Sequence, residues 1–366
     1  MIEKLYGKNI NFLIGSGASV GAIPTLATKY EKDGKNLSIE EILTEEKDKE
    51  NLKNLIYLYF YQKVIKTGFL ENIDKDSSIS KVMKNYEKFL EQLIKFMYRE
   101  NYQKEKRINI FTTNYDLFFE RAVDNLIGKH EFYFNDGSAG NIIRRLSMKN
   151  YHKKVFHTGN FDNFNREIPI INLFKVHGSV SWKYEYNEDK KIIGINVDYQ
   201  DKGIEYSEKF LIENISNVEI KNKINELKSE DMRELKKLGK LIKEKFYLIF
   251  PEKDKFEKTF FEEYYYQFLR QLSYELERKN TILIVFGFSF ADEHIAEMIK
   301  RACNNPTLQI FIFCFNERSK DSILQNLHLT EFPSNITPII PEDKGIIDFD
   351  IFLKKLFEIE SDESGK

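Results

Sequence analysis

The chain has 366 residues, 42% of them apolar and 31% charged, with a formal net charge of −2. That is enough for one large domain with insertions or two modest ones, and the near-neutral balance gives no electrostatic reason to expect nucleic acid or an anionic membrane as the main partner. Only two cysteines are present, Cys303 and Cys314, which excludes a disulfide scaffold and a four-cysteine zinc site. No window offers the roughly 20 apolar residues of a membrane span, and Met1–Lys8 lacks the apolar core and small-residue cleavage pattern of a signal peptide. A soluble, cytoplasmic protein is expected.

Asn9–Ile14 is a short apolar run that reads as a buried strand, and it leads directly into Gly15-Ser16-Gly17-Ala18-Ser19. Glycines at this junction let the backbone turn tightly and approach a pyrophosphate, and a helix following them would offer free N–H groups to it. The bland alternative is a plain strand-to-helix turn. The third glycine of the dehydrogenase fingerprint is not in its place; Gly21 and Ile23-Pro24 follow instead. Residues 25–106, with a charged stretch from Glu45 to Glu50 and amphipathic patterns rich in Tyr and Phe, read as a helical insertion.

Arg107–Thr112 is the next strand, with Thr113, Asn114 and Asp116 at its C-terminal tip, where open α/β sheets bind ligands. Asn114 and Asp116 can orient a ribose and a water there, or they can cap a helix. A second long excursion, residues 125–245, is interrupted by the strand Ile170–Val176, which ends in His177-Gly178-Ser179. Among six histidines His177 has the best setting for a general base, set against the commoner fate of a structural histidine. Val218–Lys245 carries the pattern of one or two amphipathic helices, and Phe246–Phe250 reads as another strand.

Thr281–Phe286 is a strand ending in Gly287-Phe288-Ser289-Phe290. The adjoining Asp292-Glu293-His294 invites a metal reading, but three consecutive helical residues point in different directions, so Asp292 reads as a helix N-cap. The last strand, Leu308–Phe315, ends at Asn316, placed either to meet an adenosine or to make a turn. Ser361–Lys366 reads as a frayed tail. Strand and helix in repeated alternation predict an α/β fold, a Rossmann-like parallel sheet flanked by helices. Residues 1–330 form its main domain, with helical insertions at about 25–106 and 200–245, followed by a C-terminal strand or helix and tail over 331–366.

Taken in this order, the motifs resemble the sirtuin (SIR2) superfamily. Gly15–Ser19 matches its Gly-Ala-Gly-X-Ser loop, Ala22-Ile23-Pro24 its Gly-Ile-Pro, and Thr112–Asp116 its Thr-Gln-Asn-Ile-Asp. His177-Gly178 matches the catalytic pair, Gly287-Phe288-Ser289 the Gly-Thr-Ser loop, and Phe313–Asn316 the strand ending in Asn. The resemblance implies NAD as substrate, with Asn114, His177 and Asp116 catalytic. It assigns NAD binding to Gly15, Ser16, Gly17, Ala18, Ser19, Ile23, Pro24, Thr113, Gly287, Ser289 and Asn316.

Two departures accompany it. No paired Cys-X-X-Cys exists, so no zinc or other metal is expected, and the arginine that follows Gly-Ile-Pro-Asp-Phe in protein deacylases has no counterpart in Pro24-Thr25-Leu26-Ala27. The chain looks like the bacterial sirtuin-like proteins of phage defence, and His177–Trp182 and Asp292–Ile295 are especially similar to the subunit that works with a HerA-type ATPase. That implies NAD hydrolysis in a homo-oligomer assembled on the ATPase, with nucleic acid met only through that partner. The alternatives are an NAD-dependent protein deacylase and a non-enzymatic NAD or ADP-ribose sensor.

Overall fold

Seven strands pair side by side in the computed structural model. They are Asn9–Ile14 (β1), Arg107–Thr112 (β2), Tyr133–Asn135 (β3), Ile170–Lys175 (β4), Thr281–Phe286 (β5), Gln309–Phe313 (β6) and Ile336–Ile339 (β7). All are parallel, in the order β7-β6-β5-β1-β2-β4-β3. The structure describes residues 1–46, 49–71, 76–101, 103–159, 165–189, 192–200, 203–251, 259–342 and 345–358; the tail read as frayed lies outside them.

The expected α/β fold is observed, and its physical reason is burial on both faces. Along β1 and β2 the side chains alternate between two cores. Phe12, Ile14 and Ile110 join one, and Leu13 and Phe111 join the other. The helices that cover these faces come between the strands, except the last, which follows β7. They are Ile39–Glu45 (α1), Glu50–Phe60 (α2), Ser77–Arg99 (α3), Phe118–Leu126 (α4), Asn217–Glu226 (α5), Ser229–Lys245 (α6), Thr259–Glu277 (α7), Glu293–Ala302 (α8), Glu317–Asn326 (α9) and Phe349–Phe357 (α10). α3 packs with α4 and α10 on the first face, α7 with α8 on the second, and α2 against α6 to one side. Among the described residues no helix is long and apolar enough to cross a membrane.

Two local expectations are corrected, and one strand was not expected. No α-helix follows Gly15: Ser16–Ser19 is a single 3-10 turn, and Gly21 in a left-handed conformation and Pro24 stop it from propagating. The chain passes instead into an antiparallel hairpin, Ala27–Lys32 with Lys35–Ser38. Phe246–Phe250 is buried but is not a sheet strand; it forms one isolated bridge, Leu248 to Gly178, because it crosses the tip of β4. β3, only three residues long, carried no strand signal.

The chain begins the sheet at β1, fills one side with β2, β3 and β4, then returns to lay β5 on the other side of β1. The tips of β1 and β5 therefore flank the topological switch point, where such sheets open a crevice.

Four asparagines tie the middle of the sheet together. Asn11, Asn109, Asn172 and Asn135 are register partners across β1, β2, β4 and β3, each nearly or wholly buried. Each Nδ2 donates to the next Oδ1 at 2.9 Å: Asn109 to Asn11, Asn172 to Asn109, and Asn135 to Asn172. A one-residue slip of any strand would break this ladder and send the amides into the opposite apolar core. Asn109 sits inside the ladder, so Asn109→Leu leaves polar groups unpaired on both sides, at roughly 1–3 kcal/mol each. Asn11 ends the ladder and its own Nδ2 already lacks a partner. Urea denaturation is expected to show Asn109→Leu losing clearly more stability than Asn11→Leu; equal losses would contradict the ladder.

Candidate active site at the sheet's C-terminal edge

Two glycine turns meet at the switch point. Gly15 N–H donates to the Phe286 carbonyl at 3.0 Å and Gly17 N–H to the Gly287 carbonyl at 2.9 Å. A Cβ on Gly17 would lie 2.6 Å from Gly287 Cα, and one on Gly15 2.7 Å from Phe288 Cα. Both contacts are backbone, so neither position accepts a side chain. Gly287 has φ +67°, and three residues on the buried Phe290 also takes a positive φ of 61°, an unusual conformation for an aromatic residue.

Beneath this seam lies a buried polar network. Ser19 Oγ donates to Asp116 Oδ2 at 2.8 Å and lies 2.9 Å from the Tyr86 hydroxyl. Asn114 Nδ2 donates to Ser19 Oγ at 3.2 Å and to the Tyr86 hydroxyl at 3.4 Å. The donors can be counted. Asp116 as a carboxylate only accepts, so Ser19 spends its single hydrogen there and must accept from Tyr86 and from Asn114. Burial pushes the Tyr86 phenol well above its usual range, which keeps it a donor. With both functions of the Asn114 amide nitrogen engaged, its carbonyl Oδ1 remains buried and without a partner. Thr112 Oγ1, accepting from Asn114 N–H at 3.1 Å, fixes the backbone beneath it.

His177 stands two residues past Lys175, as Asn114 stands two past Thr112, and those residues are register partners. The turn is clamped by the segment that crosses it: Ile249 N–H donates to the His177 carbonyl at 2.9 Å, and Tyr115 hydroxyl donates to the Ile249 carbonyl at 2.7 Å. Gly178, at φ +89°, lets that segment pass. The imidazole Nε2 lies 2.9 Å from Asp292 Oδ2.

The structure thus brings Gly15, Gly17, Ala18 and Gly287 together at the seam, and Ser19, Asn114 and Asp116 beneath it. Ser19 faces the network and is buried. Ser16, Pro24 and Ser289 are exposed, Thr113 is half-buried and Ile23 is buried. Asn316 is an N-cap: its Oδ1 accepts from the Ser319 N–H and hydroxyl, so its oxygen is committed to α9. Among the described residues no group of three His, Cys, Asp or Glu side chains is placed to hold a metal.

Sequence reasoning missed three contributors. Tyr86 comes from α3, deep in the insertion, and its only signal was apolar spacing. Asp292 was read as a cap; it is one, yet its other oxygen meets His177. Lys175, a lysine inside an apolar strand, was itself an anomaly: its ammonium donates to the Asp116 carbonyl and pairs with Glu120 Oε1 at 3.1 Å. Glu120 Oε2 has no partner. Burial raises the carboxyls of Asp116 and Glu120, the latter to about 7, while Lys175 pulls both back. A cavity of about 450 Å³ opens beyond Glu120, lined by Arg121, Asp124, Phe132, Asp136 and Tyr199, and it contains neither Asn114 nor His177.

Compared with known families, residues 108–331, more than half of the chain, match the SIR2-like domain. The match takes in Asn114, Asp116, His177 and the Gly287 turn; the Gly15–Ser19 turn precedes it. A search of curated proteins finds no match.

The raised Glu120 carboxyl has a consequence for stability. The folded chain holds that proton up to about 7, whereas an unfolded glutamate releases it near ~4.3. Between these values the native state binds more protons, so stability falls as pH rises through the window and is fullest below it. Denaturation midpoints measured from about pH 4 to 8, which brackets the window, are expected to decline in the wild type and to decline less in Glu120→Gln. An unchanged slope would show that Glu120 does not titrate there.

Proposed function

The chain belongs to the SIR2-like domain family, and from that premise we propose that it hydrolyses NAD at the nicotinamide–ribose bond, releasing nicotinamide and ADP-ribose. Membership implies an NAD-dependent activity. The observation that carries the finer reading is the Asn114 carbonyl oxygen, buried, held in place through its own amide nitrogen, and without a partner. A bare acceptor at the tip of a central strand fits a ribose hydroxyl or an attacking water, and leaving it empty costs roughly 1–3 kcal/mol.

The chemistry follows from the leaving group. The bond from ribose C1′ to the pyridinium nitrogen breaks with its electron pair going to nitrogen, so nicotinamide leaves neutral and positive charge builds on the sugar. Water adds at C1′ and loses a proton. An oxocarbenium-like state needs stabilised charge and a positioned weak nucleophile rather than a strong base. Asn114 holds the ribose or the water, ionised Asp116 favours the cationic sugar, and His177 accepts the proton. The glycine seam, which admits no side chain, leaves backbone for the pyrophosphate to lie against.

Further along, the likeness of His177–Trp182 and Asp292–Ile295 to the sirtuin-like subunit of HerA-associated systems supports a role as an antiphage effector. In that role the chain depletes NAD as a homo-oligomer with a HerA-type ATPase.

Incubation with NAD, alone and with a HerA-type ATPase, followed by chromatography for nicotinamide and ADP-ribose, tests the activity. Asn114→Ala and His177→Ala are each expected to slow product formation by about 10²–10⁴-fold with an unchanged circular dichroism spectrum. Wild-type rates in both would overturn the assignment. Product formed only when an acetyl-lysine peptide is added would favour a deacylase, and tight NAD binding without product a sensor. Tyr86→Phe keeps the ring but removes one hydrogen-bonding hydroxyl, a loss of about 1 kcal/mol or roughly fivefold in rate. An undiminished rate would remove Tyr86 from the positioning of Asn114.

A further inference from the structure

We infer that Asp292 is a positioning residue for His177: it holds the imidazole as the Nε2–H tautomer and so makes Nδ1 the nitrogen that accepts the proton. The inference rests on the reading of His177 as the base in NAD hydrolysis.

Its basis is a division of labour between two oxygens of one carboxylate. Asp292 Oδ1 accepts from the His294 and Ile295 N–H groups at 3.1 and 3.2 Å, capping α8. Oδ2 faces His177 Nε2 at 2.9 Å. The cap pins the side chain, so the second oxygen is aimed by the helix itself. Both partners are largely buried, with side chains 12% and 7% exposed. A capping carboxylate at a helix N-terminus is stabilised in its ionised form, and an ionised carboxylate can only accept. The hydrogen in this bond is therefore on Nε2, and the lone pair left on the ring is at Nδ1.

The other groups around the imidazole suit this arrangement. The Tyr115 ring centroid is 6.4 Å away and that of Tyr265 6.2 Å, and the His294 ring lies 6.5 Å from that of Tyr265. Both phenols are pushed upward by burial, with Asp292 and Glu40 adding to the effect, so neither is an anion competing for the Nε2 hydrogen. Backbone contact from Ile249 fixes the other end of the residue. When His177 takes a proton from water, the new N–H is on Nδ1, and the imidazolium is balanced by the Asp292 carboxylate; the proton later leaves from Nδ1 to solvent. Without that carboxylate the ring is free to take the other tautomer, which points a hydrogen where a lone pair is required.

Asp292→Asn is the informative variant. Asparagine is as good an N-cap as aspartate, so α8 stays in place, while its amide can donate to Nε2 and so drive the hydrogen to Nδ1. The expected result is a fall in kcat of about a hundredfold or more with KM within a few fold. His177→Ala combined with Asp292→Asn is expected to be no slower than His177→Ala alone. In parallel, ¹⁵N chemical shifts of the histidine side chains, with His177 identified by its loss in His177→Ala, are expected to report Nε2–H in the wild type and a shift toward Nδ1–H in Asp292→Asn. A wild-type kcat for Asp292→Asn, or an Nδ1–H tautomer for His177 in the wild type, would overturn the inference. Should the wild type release no nicotinamide at all, the hydrolase reading fails, and the nitrogen shifts still decide the pairing on their own.

Discussion

Between the tips of β1 and β5 there is no room for a single methyl group. Gly15 and Gly17 bond through their N–H groups to the carbonyls of Phe286 and Gly287, backbone against backbone, and the rest of the edge is arranged around that seam. It closes the switch point of the sheet, and it sends the chain from Gly17 downward. Ala18 then lies against Gly287, and the Ser19 hydroxyl points under the turn rather than over it. A parallel sheet with its reversal at β1 delivers Asn114 and His177 to the same edge from the two strands beyond. One topological fact thus assembles residues separated by more than a hundred positions.

What lies below the seam is polar and costly to bury. Ser19, Tyr86, Asn114 and Asp116 are all shielded from water, and such a cluster is tolerable only when its hydrogens and lone pairs match. They match with a single exception, the Asn114 carbonyl. Lys175 repeats the theme one layer away, its buried ammonium spanning the Asp116 carbonyl and Glu120. The satisfied groups fix the side chains, and the Asn114 carbonyl is the one acceptor of the four that is left without a partner.

Much of this was legible in the residues. β1, β2 and β5 are mostly apolar runs, broken in β1 and β2 by the ladder asparagines Asn11 and Asn109, and they lead into Gly or small polar residues; a strand buried on both faces leaves that signature. The order of Gly15–Ser19, Thr112–Asp116, His177-Gly178 and Gly287–Ser289 was enough to indicate the family. Other features were hidden for physical reasons. Tyr86 stacks on Phe118 and meets Phe119 edge-on, so in the periodicity of α3 it is one more core ring, and only its hydroxyl joins the site. Asp292 satisfies a capping pattern with one oxygen, which leaves nothing in the sequence to announce what the other does. Phe246–Phe250 has the composition of a strand, but composition reports burial and not pairing, and this segment is spent on clamping the His177 turn. The helix expected after Gly17 is absent because Gly21, in a left-handed conformation, and Pro24 stop the single turn from propagating.

The central claim is that NAD lies across the Gly15–Gly17 turn with its nicotinamide ribose against Asn114. A crystal structure of His177→Ala soaked with NAD tests it most directly, because that substitution spares the seam and the Asn114 network. The account predicts the pyrophosphate over the glycine turn and a ribose hydroxyl or a water within about 2.6–3.2 Å of Asn114 Oδ1. NAD bound elsewhere on the chain, or bound with its nicotinamide end turned away from Asn114, would contradict it.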